Sequence, residues 1–153
     1  AADSFSDNKC LGHIVDDKYV WRTYKEAHTE AQNLAKALYS ENLVPKTRAE
    51  DKNFRLIGLY SKNRPEWALT NWAIMHFSGT VVTLYNTLGE ESLCYAVDHT
   101  ELTICAWDQA SMKKLIELFS FNVKGQDKLK SLKVIIAFDA YTEEDEKSLS
   151  ENG

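Results

Sequence analysis

Two hydrophobic rhythms alternate along the chain. In residues 11–23 apolar and polar positions alternate around the turn cluster Asp16-Asp17-Lys18, with Tyr19-Val20-Trp21 on the second arm, which predicts a β-hairpin. The rhythm then changes to a helical one. Thr23-Tyr24-Lys25-Glu26 has the T-x-x-E form of a capping box, and Tyr24, Ala27, Ala31, Leu34, Ala35 and Leu38 recur on one helical face. Residues 40–53 are polar, contain Pro45 and show no period, so they read as a loop.

Beyond the loop come four short apolar runs, at residues 55–60, 80–85, 102–107 and 133–138, separated by helical stretches. Asn63-Arg64-Pro65-Glu66 reads as the start of the first of these helices, with Asn63 as cap, Glu66 as its partner and Pro65 in the first turn, where a missing N–H costs little. Thr87-Leu88-Gly89-Glu90 is expected to open the next helix by the same device. Asp108 is expected to cap the third, with Met112, Leu115, Ile116 and Phe119 as its inner face. Strands alternating with helices of this length imply βαβ units. The fold class is α/β, a mostly parallel sheet flanked by helices and preceded by the hairpin.

The helix at residues 65–78 carries Trp67, Leu69, Trp72, Ala73, Ile74, Met75 and Phe77, which point nearly all round its axis. A helix apolar on every side is buried on more than one side, so further chain is expected to pack on it. Residues 1–10 read as a flexible lead, residues 11–140 as the folded unit, and residues 141–153 as an acidic surface loop or frayed end.

Composition narrows the function. A net charge of −5 with scattered Lys and Arg gives no basic stripe, which argues against a nucleic-acid partner. Cys10, Cys94 and Cys105 are odd in number and lack C-x-x-C spacing, so they read as free thiols of a reducing compartment. His13, His28, His76 and His99 show no H-x-x-H or H-E-x-x-H spacing, which argues against a metal site. No apolar run approaches the roughly 18 residues of a membrane-spanning helix. A cytoplasmic setting is expected, with peripheral contact to a membrane surface left open.

A nucleotide phosphate needs a glycine-rich loop, because backbone N–H groups approach it only where no Cβ intervenes. Gly12, Gly58, Gly79, Gly89, Gly125 and Gly153 form neither G-x-G nor G-x-x-x-x-G-K. The best local anion site is Ser61-Lys62-Asn63-Arg64, between a strand and a helix, where Lys62 or Arg64 could meet a phosphate. A helix cap with solvated or paired charges explains the same residues. Asp98-His99-Thr100 has no G-x-S-x-G turn to complete a hydrolytic triad and suits a helix C-terminus instead. The Trp and Tyr residues fit a core better than a ligand box.

At Tyr60-Ser61-Lys62-Asn63-Arg64-Pro65-Glu66-Trp67 the sequence resembles the Y-S-K-N-R-P-E-W segment of long-chain fatty acyl-CoA synthetases, which are AMP-forming, adenylate-forming enzymes. Cys10-Leu11-Gly12-His13 resembles the opening C-L-G-x-R, and residues 19–26 resemble Y-x-W-x-T-Y-K-E. Residues 84–89 are similar to L-Y-D-T-L-G, and His99-Thr100-Glu101 to the H-T-E that follows. The resemblance runs from about Cys10 to Phe138. Asn86 stands for the usual Asp, His13 where Arg is common, and Asn71 for an Asp after the Leu-Thr pair.

The resemblance implies the N-terminal part of the large domain of such a ligase. In that family a fatty acid carboxylate attacks the α-phosphate of ATP, with Mg2+ assisting, and coenzyme A then displaces AMP. It also implies that the phosphate loop, the adenine motif, the ribose-binding Asp and the catalytic Lys lie further along. No catalytic, cofactor-binding or metal-ligating residue is therefore assigned here. No ATP, Mg2+ or coenzyme A is expected to be held by this piece alone, which is expected to be inactive. The remainder of the synthetase is expected to pack on the helix at residues 65–78. Two alternatives remain: a flavodoxin-like nucleotide-binding module and a non-catalytic interaction module.

Overall fold

The computed structural model describes residues 1–47, 53–122, 129 and 131–152. The hairpin forms from β1 (Lys9–Val15) and β2 (Lys18–Thr23), paired antiparallel with Ile14 opposite Tyr19 and Gly12 opposite Trp21. Asp16 and Asp17 at its tip both take positive φ, at 48° and 59°, as a two-residue hairpin turn of matching twist requires.

Helix α1 (Tyr24–Ser40) starts at Thr23, whose hydroxyl accepts the Glu26 N–H while the Glu26 carboxylate accepts the Thr23 N–H. Both halves of the capping box are present. Residues 1–10 are not a loose lead. β1 begins at Lys9, and the N–H groups of Tyr24 and Lys25 donate to the carbonyls of Asn8 and Ser6, each at 3.0 Å. The first turn of α1 has N–H groups with no partner inside the helix, and the preceding segment supplies their acceptors.

Next come the two-residue strand β3 (Lys46–Thr47), inside the stretch expected to be loop, then β4 (Phe54–Tyr60), α2 (Pro65–Met75), β5 (Thr80–Thr83) and α3 (Glu90–His99). β6 (Ile104–Trp107), α4 (Gln109–Asn122), β7 (Val134–Ala137) and α5 (Glu143–Asn152) complete the order. β5, β4, β6 and β7 lie side by side in parallel, while β3 runs antiparallel to the start of β4. The chain leaves β4 to make β5 on one side and then crosses to β6 on the other.

Burial on both faces explains the unbroken apolar runs of the central strands β4 and β6, while the flanking β5 and β7 are only partly covered. Leu56, Tyr60, Cys105 and Trp107 face α3 and α4, packing with Leu93, Val97, Met112, Leu115 and Leu118. Ile57 and Ile104 face the other way, with Leu38 of α1 and Ile74 of α2. Gly58 sits where β4 meets β6, and a Cβ there would lie 2.6 Å from Cys105 Sγ. On α4, Met112 and Leu115 are buried and Ile116 half-buried as expected, while the Phe119 side chain lies outside the described residues.

Helix α2 turns one side to the sheet through Ile74 and another to α1 and β1 through Leu69 and Trp72. That two-sided packing accounts for much of its all-round apolarity. Trp67, Trp72 and Phe77 are all only half-buried and Met75 is 64% exposed, so part of its apolar surface is left uncovered. The helix ends at Met75, three residues short of expectation. Ser78 takes φ 58°, and the Gly79 N–H returns to the Ile74 carbonyl at 2.9 Å. Gly79 presses on the Ile74 side chain, so no Cβ fits there.

Two caps differ from expectation. Arg64, not Asn63, is the N-cap of α2, in extended conformation (φ −157°, ψ 162°) with no side-chain cap bond. Pro65 occupies the first helical position and forces its predecessor out of the helical region, which moves the boundary past Asn63. Gly89, not Thr87, caps α3, also without a side-chain bond. The acidic tail, expected to be loop or frayed, is the helix α5. Thr142 and Asp145 form a reciprocal cap, with Thr142 N–H to Asp145 Oδ2 at 2.9 Å and Asp145 N–H to Thr142 Oγ1 at 3.1 Å. Four acidic residues in the first turn suit the positive end of the helix.

Thermal melts check the caps. Thr23→Ala is expected to destabilise by about 0.5–2 kcal/mol. Asn63→Ala is expected to stay within about 0.5 kcal/mol of wild type. An equal loss at both positions would contradict the assignment.

Candidate functional site

Ligands of open parallel sheets gather at the carboxyl ends of the strands, where the strand order reverses. Here that place lies between β4 and β6, and the chain fills it with its own carboxylates. Asp108, 5% exposed, follows β6. Its Oδ1 accepts the Ser111 N–H at 2.9 Å, the expected cap of α4, and its Oδ2 accepts the Lys62 N–H at 2.9 Å. Asp139 follows β7. Its two oxygens accept Arg64 Nη1 and Nη2, each at 2.8 Å, and Oδ2 also accepts the Gln109 N–H at 2.9 Å.

The Arg64 guanidinium completes its fork with Nε donating to Glu66 Oε2 at 2.7 Å, and it lies 5.4 Å from the Phe138 ring centre. Glu66 Oε1 faces Arg22 Nη2 at 3.4 Å, and Arg22 Nε bonds Glu30 at 3.1 Å. One charge network thus joins β2, α1, α2 and the ends of β6 and β7. The hydrogen bonds from Arg64 and Gln109 hold the Asp139 carboxyl below its ordinary value of 3.8. Burial pushes Glu66 upward, but bonds from Arg64 and its own backbone N–H, with the charges of Arg64 and Arg22, outweigh it and leave it below 4.5. The bond to Asp139 raises Arg64 further above its already high value.

Of the anion-site residues read from sequence, Ser61, Lys62 and Asn63 line an open cleft of about 640 Å³ with Trp67, Thr83, Leu84, Tyr85 and Asn86. Lys62 and Asn63 are exposed, and Arg64 is turned away into its carboxylates. Asp98-His99-Thr100 ends α3: the His99 ring stacks on Tyr95 at 5.1 Å, and Thr100 Oγ1 donates to the Ala96 carbonyl. Tyr60 and Trp107 are buried core rings 4.3 Å apart, whereas Tyr19 and Trp21 stack at the hairpin surface. Burial raises the Cys105 thiol far above its ordinary value, so it is inert.

The described glycines do not form a loop together. Gly58 and Gly79 are filled by neighbouring side chains, and Gly89 starts α3 alone. Among the described residues no group of three or more His, Cys, Asp and Glu is gathered to hold a metal ion. The partner roles of Asp139 and Glu66 escaped sequence reading. The signal for Asp139 is an acidic residue directly after an apolar strand, Phe138-Asp139, in the pattern also visible at Trp107-Asp108.

Asp139→Asn is expected to cost roughly 1 kcal/mol, since the pair is bidentate but partly solvated. The sign with pH follows from lowered native pKa values. The stabilisation from Asp139 and Glu66 is complete above their ordinary values and is lost as pH falls through the depressed ones. Denaturant midpoints measured at pH 7 and through the acid range should show a gap between variant and wild type that narrows toward acid.

Solved structures share this fold. The adenylation domain of a carboxylate reductase from Mycobacterium chelonae superposes with TM-score 0.72 and 14% identity, over 97% of this chain and 24% of that one. A fatty acyl CoA synthetase of Mycobacterium tuberculosis gives TM-score 0.66 and 12% identity, over 99% and 27%. By sequence, long chain acyl-CoA synthetase 1 of Arabidopsis thaliana is 30% identical over 100% of this chain and 22% of its own length. Human long-chain-fatty-acid–CoA ligase 1 is 30% identical over 91% and 19%. The chain thus spans about a fifth of the length of these relatives. Residues 1–153 match the AMP-binding enzyme family throughout, and the chain belongs to that family.

Proposed function

We propose that this chain forms the N-terminal part of the large domain of an AMP-forming ligase that activates long-chain fatty acids with ATP and transfers the acyl group to coenzyme A. The observation that carries the reading is the family match over all 153 residues together with 30% identity to long-chain acyl-CoA synthetases. Its own residues act as scaffold: Arg64, Asp108 and Asp139 hold the loops at the carboxyl edge of the sheet at fixed positions. Mg2+ would neutralise charge on the transferring phosphates, but the described residues present no cluster to hold it, and no step is assigned to it here.

The open apolar side of α2, with Trp67, Met75 and Phe77, is the surface on which the rest of the ligase polypeptide packs. No described helix is long and apolar enough to cross a membrane. A cytoplasmic enzyme with peripheral membrane contact fits a substrate that partitions into lipid.

The test is hydroxylamine trapping of acyl-adenylate, with pyrophosphate release followed in parallel. The full-length protein with ATP, Mg2+ and palmitate is expected to form acyl hydroxamate, and addition of coenzyme A to yield acyl-CoA. Residues 1–153 alone are expected to form none. Acetate turned over in preference to palmitate would contradict the substrate class, and no fatty-acid-dependent pyrophosphate release from the full-length protein would contradict the activity.

A further inference from the structure

Between α1, α2 and β1 lies a second cleft, of about 440 Å³, lined among others by Cys10, Tyr24, His28, Trp72 and His76 over the small floor residues Ala27 and Ala31. His28 sits on the solvent side of α1 and His76 at the C-terminal cap of α2, so the fold alone brings them together. Their ring centres are 5.9 Å apart and the planes are tilted by 50°. Both side chains are exposed, Ala1 and Ala2 also line the cleft, and among the described residues no Lys, Arg, Asp or Glu side chain does.

We infer that His28 and His76 form a two-histidine site for a divalent transition-metal ion of the Zn2+ or Cu2+ class, clipping α1 to α2. A metal about 2.0–2.1 Å from one nitrogen of each ring holds the two ring centres roughly 5–6 Å apart, from tetrahedral to more open angles. The observed 5.9 Å between ring centres lies at the open-angle end of that range. The backbone positions of the two rings are fixed by helices that pack on each other through Ala27, Ala31 and Leu69, so only the two side chains need ordering when an ion arrives. Imidazole suits Zn2+ and Cu2+ and is a poor ligand for Mg2+ and Ca2+. With no third protein ligand gathered among the described residues, water completes the coordination and the ion exchanges. The site does not depend on the ligase reading.

The experiment uses full-length protein stripped with a chelator and titrated with Zn2+ and, separately, Cu2+ by calorimetry. His28→Gln and His76→Gln are compared with wild type. Wild type is expected to take up one more equivalent than either variant, or to bind it about tenfold or more tightly, because losing either ring loses the chelate. Cu2+ should bind more tightly than Zn2+, its electron paramagnetic resonance should show two imidazole nitrogens, and Mg2+ should not compete. Melting temperatures without metal should match, since both positions are exposed. Equal stoichiometry and affinity in all three proteins would overturn the site. So would a loss confined to one variant, which marks a single surface histidine, with the ring pair then a plain aromatic contact.

Discussion

One guanidinium spans the carboxyl edge of the sheet. Arg64 starts beyond the end of β4 and reaches Asp139 beyond the end of β7, passing the end of β6 between them. Neighbouring strands lie about 4.8 Å apart, so this gap is roughly 10 Å. A long side chain with a planar fork crosses it and binds both carboxylate oxygens, which a Lys ammonium could not do with the same geometry. Asp108 makes a parallel tie nearer the centre, joining the β4–α2 loop to the first turn of α4. These ties occupy the place where open α/β sheets usually receive a ligand. They make this edge a frame that holds the segments after β4, β6 and β7 in fixed positions.

The frame depends on what lies beneath it. β4 pairs in parallel with both β5 and β6, and Gly58 lets the Cys105 side chain come close against it. The buried rings of Tyr60 and Trp107 fill the layer under α4. On the opposite face α2 is used twice, once against the sheet and once against α1 and the hairpin, which is why a helix of only eleven residues needs apolar side chains almost all round. Trp67 and Phe77 stay only partly covered and Met75 is exposed.

Most of this architecture was legible in residue patterns. The central strands β4 and β6 are short apolar runs because both their faces are buried, and the hairpin is signalled by Asp16-Asp17. Local rules failed where two of them competed. Asn63 looks like a cap, but Pro65 claims the first helical position and leaves the cap to Arg64. The tail looked disordered because its charge outweighs its hydrophobicity, yet Thr142 and Asp145 form a box that starts α5. The Arg64–Asp139 tie could not be read at all, since its partners are 75 residues apart and only the sheet brings them together. The His28–His76 pair was hidden in the same way, 48 positions apart on two different elements.

The central claim is that Arg64 and Asp139 act on each other as a tie across the sheet edge. A double-mutant cycle over Arg64→Ala, Asp139→Ala and the double variant, from denaturant unfolding at neutral pH, tests it most directly. The claim predicts a coupling of about 0.5–3 kcal/mol, with the double variant losing less than the sum of the single losses. Additive losses, with no coupling beyond error, would contradict it.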